Sequence, residues 1–326
     1  MRFSRLHKGA TIGTDSLYLQ KLIPVPIETF LKKIAVALTM KSNLIDKIGI
    51  FLLKNGFTIK ILTRTCFDLL ARNQDRILLI KVLEDANAVT KEYTDAMNMV
   101  SSYIGAVPII IAEKAGDNLE DNILYTRFSM YTLNFATFVN SIKNKFPFVR
   151  RTQAGFTVSI AGNKLRKKRE EMGYSLNYLS KKVGVTPRMI GKYEKGDSEV
   201  TINKAMKIYD IFGQQVFNEV NIFSGKNEIE SRYKSDFSKK YVELGFDASD
   251  TKKTPFDIIA KKGSELILTG IGDKTRKDFS SLSKLLDADN LIIFDKKKPK
   301  NVPAVTKKEF LEFEKANELI RFLKEF

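Results

Sequence analysis

A chain of 326 residues with 43% hydrophobic and 10% aromatic side chains can fill two or three separate cores, so it is not a disordered tail. Its net charge of +17 and pI near 9.6 attract polyanions, of which nucleic acid is the commonest partner of a basic protein. One cysteine, Cys66, and one histidine, His7, leave no intramolecular disulfide, no Cys/His metal site and no Ser/His/Asp triad. No cofactor or metal is expected. No apolar run approaches the roughly 20 residues a bilayer span needs. The basic start with Arg2, Arg5 and Lys8 lacks the apolar core of a signal peptide, so the cytosol is the expected compartment.

Residues 1–39 form an extension containing Pro24 and Pro26, and Met40 is expected to be the true start or the start of order. The alternative for this stretch is an extra surface helix over 27–39. Residues 40–150 form the first α/β domain, opened by a helix over 43–55. Gly56-Phe57 is followed by Phe67-Asp68-Leu69-Leu70-Ala71, then by the apolar run from Ile77. The turn residues Asn73-Gln74-Asp75 lie between two runs of strand length, as a hairpin requires. Cys66, flanked by apolar residues, reads as core filler.

The block 228–326 repeats this pattern, without a gap as far as Leu268 and with a shorter helical segment after it; the alternative is two unrelated α/β domains that share common strand residues. Gly245-Phe246 leads at the same spacing to Phe256-Asp257-Ile258-Ile259-Ala260, and Lys262-Gly263-Ser264 makes the second hairpin turn. Pro108-Ile109-Ile110-Ile111 is echoed by Asn290-Leu291-Ile292-Ile293. Asn134 and Thr306 each stand as a helix N-cap four residues before Phe138 and Phe310. Alternating strands and helices imply a layered α/β fold in both blocks.

Between them, residues 160–222 form an all-α domain whose motif runs over 163–213. Its segment 163–213 carries 12 Lys/Arg against 6 Asp/Glu. A basic helix with Leu165 and Met172 inward stops at Gly173. Ser175 caps a second helix that buries Leu179 and Val183 and ends at Gly184, where a tight turn needs a residue free to take positive φ. Thr186-Pro187 opens a third helix as N-cap and first-turn proline, with Ile190 and Tyr193 inward and Gly196 as its stop. A fourth helix draws its apolar positions from Ile202, Ala205, Met206, Ile208 and Tyr209.

The set Ser175-x-x-x-Leu179, Gly184-Val185-Thr186, Ile190, Tyr193-Glu194-Lys195-Gly196 and Phe212-Gly213 resembles the Cro/lambda-repressor (XRE) type of helix-turn-helix. It departs from many members at Leu176, where they place a glutamine that contacts phosphate. The resemblance implies that the third helix enters the major groove of double-stranded DNA. By position, Thr186, Pro187, Arg188 and Lys192 would face base edges, with Met189 at a thymine methyl. Arg188 and Lys192 could read guanine O6 and N7. Ser175, Lys195 and Ser198 would meet phosphates. Lys181 and Lys182 read as a solvated helix face.

The two α/β blocks resemble the restriction-endonuclease-like fold, in degenerate form. That family holds Mg²⁺ with an aspartate and a second carboxylate in acid-x-Lys, whose lysine orients the nucleophile. Here Asp68 and Lys81 are present, but the second carboxylate position is Leu79. In the other block Asp257 is followed by Leu268-Thr269-Gly270 at that place. Asp85 is a weak substitute, and Asp68 and Asp257 read as structural residues. Over residues 40–326 the arrangement is similar to an archaeal family of helix-turn-helix transcriptional regulators. The expected protein is therefore a DNA-binding regulator, not an enzyme, paired as a homodimer through its α/β domains. The alternatives are a nuclease targeted by the helix-turn-helix and an antitoxin-like or architectural DNA binder.

Overall fold

The computed structural model describes residues 27–152, 155–225, 228–273 and 278–326, with side chains from residue 41 onward. The chain divides into two units, Met1–Asn43 and Leu44–Phe326. The expectation for residues 1–39 lies outside the described residues as far as residue 26. From there the backbone is helical in one continuous run, α1 (Ile27–Lys54), which replaces the expected start of helix at 43. In the larger unit, Leu44, Ile48 and Leu52 recur every four residues on α1 and are buried, while Ile50 and Leu53 are exposed.

The first α/β lobe continues with β1 (Thr58–Ile61), β2 (Leu69–Arg72), β3 (Ile77–Asp85), α2 (Lys91–Ile104) and β4 (Val107–Ala115). It then adds β5 (Asp117–Asn118), β6 (Ile123–Arg127), β7 (Met130–Leu133) and α3 (Phe135–Ile142). β2 and β3 form the expected hairpin, in which Asn73 Oδ1 accepts from the amides of Asp75 and Arg76. β3 and β4 are parallel, Leu79 beside Pro108, and both are apolar runs covered on two faces, as central parallel strands must be.

The helix-turn-helix segment does not hang from a linker. β8 (Val149–Thr152) pairs in parallel with β6, turns back as β9 (Gly155–Val158), and β9 pairs with β10 (Val200–Thr201). One sheet therefore runs β1-β2-β3-β4-β7-β6-β8-β9-β10, with β5 pairing on the side of β4. Between β9 and β10 lie α4 (Gly162–Glu171), α5 (Leu176–Val183) and α6 (Pro187–Lys195), and α7 (Ile202–Phe212) follows. The chain then returns to the first lobe, where the Val220 amide donates to the Pro147 carbonyl at 2.8 Å and Val220 and Ile222 enter the core. The DNA-binding candidate is thus held at both ends of its sequence.

The second α/β lobe comprises α8 (Asp236–Glu243), β11 (Asp247–Asp250), β12 (Ile258–Lys262), β13 (Glu265–Ile271), α9 (Phe279–Leu286), β14 (Asp289–Phe294), β15 (Ala304–Thr306), α10 (Lys307–Glu312) and α11 (Ala316–Lys324). As far as β13 its hydrogen bonds repeat those of the first lobe at one constant sequence interval. The Phe57 amide donates to Leu52 O and that of Phe246 to Tyr241 O; the Asp68 amide donates to Ile80 O and that of Asp257 to Thr269 O. Leu268 lies beside Asn290 as Leu79 lies beside Pro108. Asn134 and Thr306 cap α3 and α10, and Phe138 and Phe310 beneath them are fully buried.

The two lobes pack on one another. A single core contains Leu62, Cys66, Phe67 and Met97 of the first lobe and Phe256, Ile259, Phe279 and Leu282 of the second. The exchange is reciprocal, α2 resting on β12 and α9 on β1. Polar contacts close its edges: Arg72 reaches Leu285 O and Asp287, Lys60 pairs with Asp278 at 2.9 Å, and Tyr103 Oη meets Ser249 Oγ at 2.9 Å. The Cys66 amide donates to Lys253 O across this seam. The equivalent position in the second lobe is Pro255, which has no amide to return the bond. Burial pushes the Cys66 thiol up to about 12, so the residue is inert filler as expected. Part of the surface of each lobe is in this way occupied within one chain.

Candidate nucleic-acid interface

Each helix of the motif is started and stopped by its own sequence. The Ser175 hydroxyl accepts from the Tyr178 amide at 3.1 Å, and that of Thr186 from the Met189 amide at 3.3 Å. Gly184 ends α5 at φ 76° and Gly196 ends α6 at φ 77°, left-handed values that a side chain would strain. Leu165, Leu179, Val183, Ile190 and Tyr193 are buried in one cluster with Val200, Ile208 and Phe212.

Three expected core residues lie elsewhere. Met172 is the C-cap of α4 and is 45% exposed, because Gly173 at φ 67° turns the chain away before that side chain can fold inward. On α7, Met206 and Tyr209 are half exposed beside the buried Ala205 and Ile208.

With Ile190 and Tyr193 fixed inward, the opposite face of α6 is set by helical periodicity. Arg188, Lys192 and Lys195 stand at i, i+4 and i+7 on that face. All three are exposed, as are Thr186 and Pro187, and none has a carboxylate partner among the described residues. Met189 is half-buried and packs against the cluster, and Ser198 is also half-buried. Ser175 is exposed with its hydroxyl engaged as a cap. Lys181 and Lys182 are exposed on α5, and the Lys182 ammonium lies 5.2 Å from the centre of the Tyr178 ring.

What holds α6 at its angle was not visible in the sequence. Arg169 on α4 donates through Nε to Glu194 Oε1 at 2.5 Å and through Nη2 to Oε2 at 3.1 Å, a two-pronged bond between α4 and α6. Its Nη1 donates to Tyr174 O at 2.9 Å. The hydrogen bond to Glu194 outweighs burial and raises the Arg169 pKa above the ordinary guanidinium value. Glu194 belonged to the motif read from the sequence, but Arg169 closes the run Arg166-Lys167-Lys168-Arg169, which reads as one basic helix face. Glycine at 162 lets the two helices meet: a Cβ there would lie 2.4 Å from the Glu194 carbonyl oxygen and 2.8 Å from that of Tyr193. Both are backbone atoms that cannot step aside. Gly162→Ala is expected to cost about 1–3 kcal/mol by overpacking, read as a lower midpoint in chemical unfolding.

The nuclease-like centre is built differently from a metal site. Asp68 Oδ2 accepts from the Val82 amide at 2.8 Å, and the Lys81 ammonium lies 3.4 Å from both Asp68 oxygens. That ammonium also donates to Thr65 O at 3.0 Å and sits 4.9 Å from the Tyr93 ring centre. Leu79, where a second carboxylate would stand, is buried in the core shared by the lobes. Asp85 caps a short 3₁₀ turn by accepting from the Asn87 amide at 2.8 Å. In the second lobe Asp257 accepts from the Ile271 amide, and a side chain at Gly270 would press on Ile292 at 2.9 Å. One carboxylate already bound to an amide and an ammonium does not fit a divalent cation. Among the described residues no group of three His, Cys, Asp or Glu side chains could hold a metal ion. No helix among them is long and apolar enough to cross a membrane.

Fold and site together define a helix-turn-helix protein carrying a nuclease-like α/β lobe. Residues 41–147 match the PD-(D/E)XK superfamily domain, and residues 165–214 match the helix-turn-helix family. A protein of Archaeoglobus fulgidus is 30% identical over 306 residues, covering 88% of this chain and 98% of its own. One of Methanocaldococcus jannaschii is 28% identical over 287 residues, covering 81% and 90%. One of Picrophilus torridus is 29% identical over 286 residues, covering 84% and 88%. Each bears the name "putative HTH-type transcriptional regulatory protein". The chain belongs to this family of HTH-type transcriptional regulatory proteins.

Proposed function

We propose that the protein is a cytoplasmic, sequence-specific DNA-binding transcriptional regulator that places α6 in the major groove and performs no catalysis. The observation that carries this reading is the face of α6: Arg188, Lys192 and Lys195 are exposed on one side of a helix whose other side is locked to α4 by Arg169 and Glu194. Arg188, in the first turn, can donate two bonds to a guanine, whereas Lys195, in the last turn, meets the phosphate backbone. Thr186 and Pro187 flank the same entry point, and Ser175 and Ser198 border it.

The test separates base reading from phosphate holding. Arg188→Ala is expected to weaken binding by about 1–3 kcal/mol on the preferred duplex alone. Lys195→Ala is expected to weaken all duplexes alike and to reduce the salt slope by about one unit. Both changes remove one positive charge, so a purely electrostatic interface would make them identical. Titration against preferred and scrambled duplexes at several salt concentrations decides between them.

The reading includes a homodimer, because one module covers a short half-site and two modules supply affinity and palindrome recognition. Since the lobes occupy one another within the chain, the pairing surface is assigned to α7. There Met206 and Tyr209 flank a groove of about 230 Å³ with Phe148, Ile202 and Phe217. Met206→Glu is expected to convert a dimeric mass to a monomeric one in sedimentation while leaving the fold intact. A monomeric wild-type mass on a full palindromic duplex defeats this part of the reading. The recurrence of hydrogen bonds between the lobes supports their origin by duplication of one α/β unit.

A further inference from the structure

A cavity of about 820 Å³ opens beyond the carboxyl ends of the parallel strands β3 and β4. That end of an open α/β sheet is where such folds take up ligands, and the volume falls in the range of small-molecule sites. Asn87 follows β3, Asn118 follows β4, and Arg127 ends β6 on its wall; Arg151 and Phe156 reach it from the β8–β9 hairpin.

The two arginines are what this cavity offers an occupant. Arg127 is half-buried and Arg151 exposed, and neither has a carboxylate partner among the described residues. The Arg127 Nε–H is buried and meets no acceptor among them. A guanidinium without a carboxylate partner finds its best acceptor in an anion such as a carboxylate or phosphate. Each guanidinium lies over an aromatic ring, Arg127 at 5.3 Å from the centre of Phe128 and Arg151 at 4.5 Å from that of Phe156. Those contacts orient the planar forks without using their hydrogen-bonding edges.

The lip carries a second sign. Phe128 and Ser129, joining β6 to β7, both have left-handed backbones at φ 46° and 62°. A two-residue turn of this kind is normally made by Asn-Gly, so the chain holds a phenylalanine in a strained position at the cavity mouth. Tyr125 adds another ring to the lining. Asp117 and Glu120 also line the cavity, and with the carboxamides of Asn87 and Asn118 they present acceptors to N–H groups on a ring edge.

We propose that this cavity binds a nucleotide-sized anion carrying a flat ring, its phosphate on Arg127 and Arg151 and its ring among Tyr125, Phe128 and Phe156, and that occupancy alters DNA binding. The route is covalent and short. Phe156 lies on β9, the strand that pairs with β10, and Val158 of the same strand belongs to the core of the DNA-binding module. The second half of the proposal rests on the regulator reading; the first half does not.

The experiment titrates the full chain by calorimetry with AMP, GMP, CMP and UMP, with inorganic phosphate as the ringless probe. At least one nucleotide is expected to bind saturably at one per chain. The Arg127→Gln/Arg151→Gln variant is expected to lose about tenfold or more in affinity with an unchanged melting temperature. Saturating nucleotide is expected to shift the DNA dissociation constant by about fivefold or more. No saturable nucleotide binding, equal binding of phosphate alone, or binding that survives the double variant overturns the site. Binding with an unmoved DNA constant overturns the coupling. Failure of the unliganded protein to bind any duplex overturns the regulator reading instead, and leaves the calorimetric result standing.

Discussion

Replacing Asp68 by alanine lowers the unfolding free energy by about 3–5 kcal/mol, the expected result for breaking a buried ion pair from one side. Asp68 is 5% exposed and Lys81 8%. The carboxylate holds the Lys81 ammonium and accepts from the Val82 amide, so its removal leaves a buried cation and a buried N–H short of an acceptor. Thr65 O and the Tyr93 ring remain beside the ammonium and offset part of the loss. Urea unfolding measures the change. Asp68→Ala/Lys81→Met should recover much of it, because the buried cation goes with the carboxylate. The same variant separates the structural aspartate from a catalytic one. The wild type is expected to leave duplex DNA intact in Mg²⁺ or Mn²⁺. Metal-dependent cleavage that disappears in a stable Asp68→Ala protein would establish the nuclease reading in its place.

The parts of this molecule that were legible in its sequence are those whose causes are local. Ser175, Thr186, Gly184 and Gly196 each act within one turn of their own position, and every one of these caps and stops formed where the motif placed it. The hairpin turns at Asn73 and Gly263 are equally local. Met172 misled because its spacing suits an inward face, but it stands at the last residue before a left-handed glycine, where helical spacing no longer sets direction. The sheet that joins the first lobe to the DNA-binding module stayed hidden for a different reason. β8 is Val149-Arg150-Arg151-Thr152 and β10 is two residues long, so neither shows the apolar alternation that marks a strand. Their pairing is decided by partners far along the chain. The packing of the two lobes is likewise non-local: each apolar run could be seen, but not that α2 and α9 would cross to the opposite sheet.

Arg169 shows how the same limit bears on the site, and it sets the second large effect. Glu194→Ala is expected to destabilise the protein by about 3 kcal/mol, at the low end for a buried pair because Arg169 and Glu194 keep 11% and 9% of their side-chain exposure. Among the described residues, the alanine leaves the guanidinium with Tyr174 O and the solvent-facing Glu170 as acceptors. It also releases α6 from α4, so that the face bearing Arg188 and Lys192 loses its fixed angle to the rest of the module. Affinity should therefore fall on preferred and scrambled duplexes together, unlike the sequence-restricted loss expected of Arg188→Ala. Arg169→Lys keeps the charge but not the two-pronged geometry, since an ammonium is a point donor. Its stability should lie between wild type and Glu194→Ala. Unfolding curves and duplex titrations on Glu194→Ala, Arg169→Lys and Arg188→Ala distinguish the cases. If Glu194→Ala unfolds like wild type, the pair does not fix α6, and the orientation of the recognition face must come from the apolar cluster of Leu165, Ile190 and Tyr193 alone.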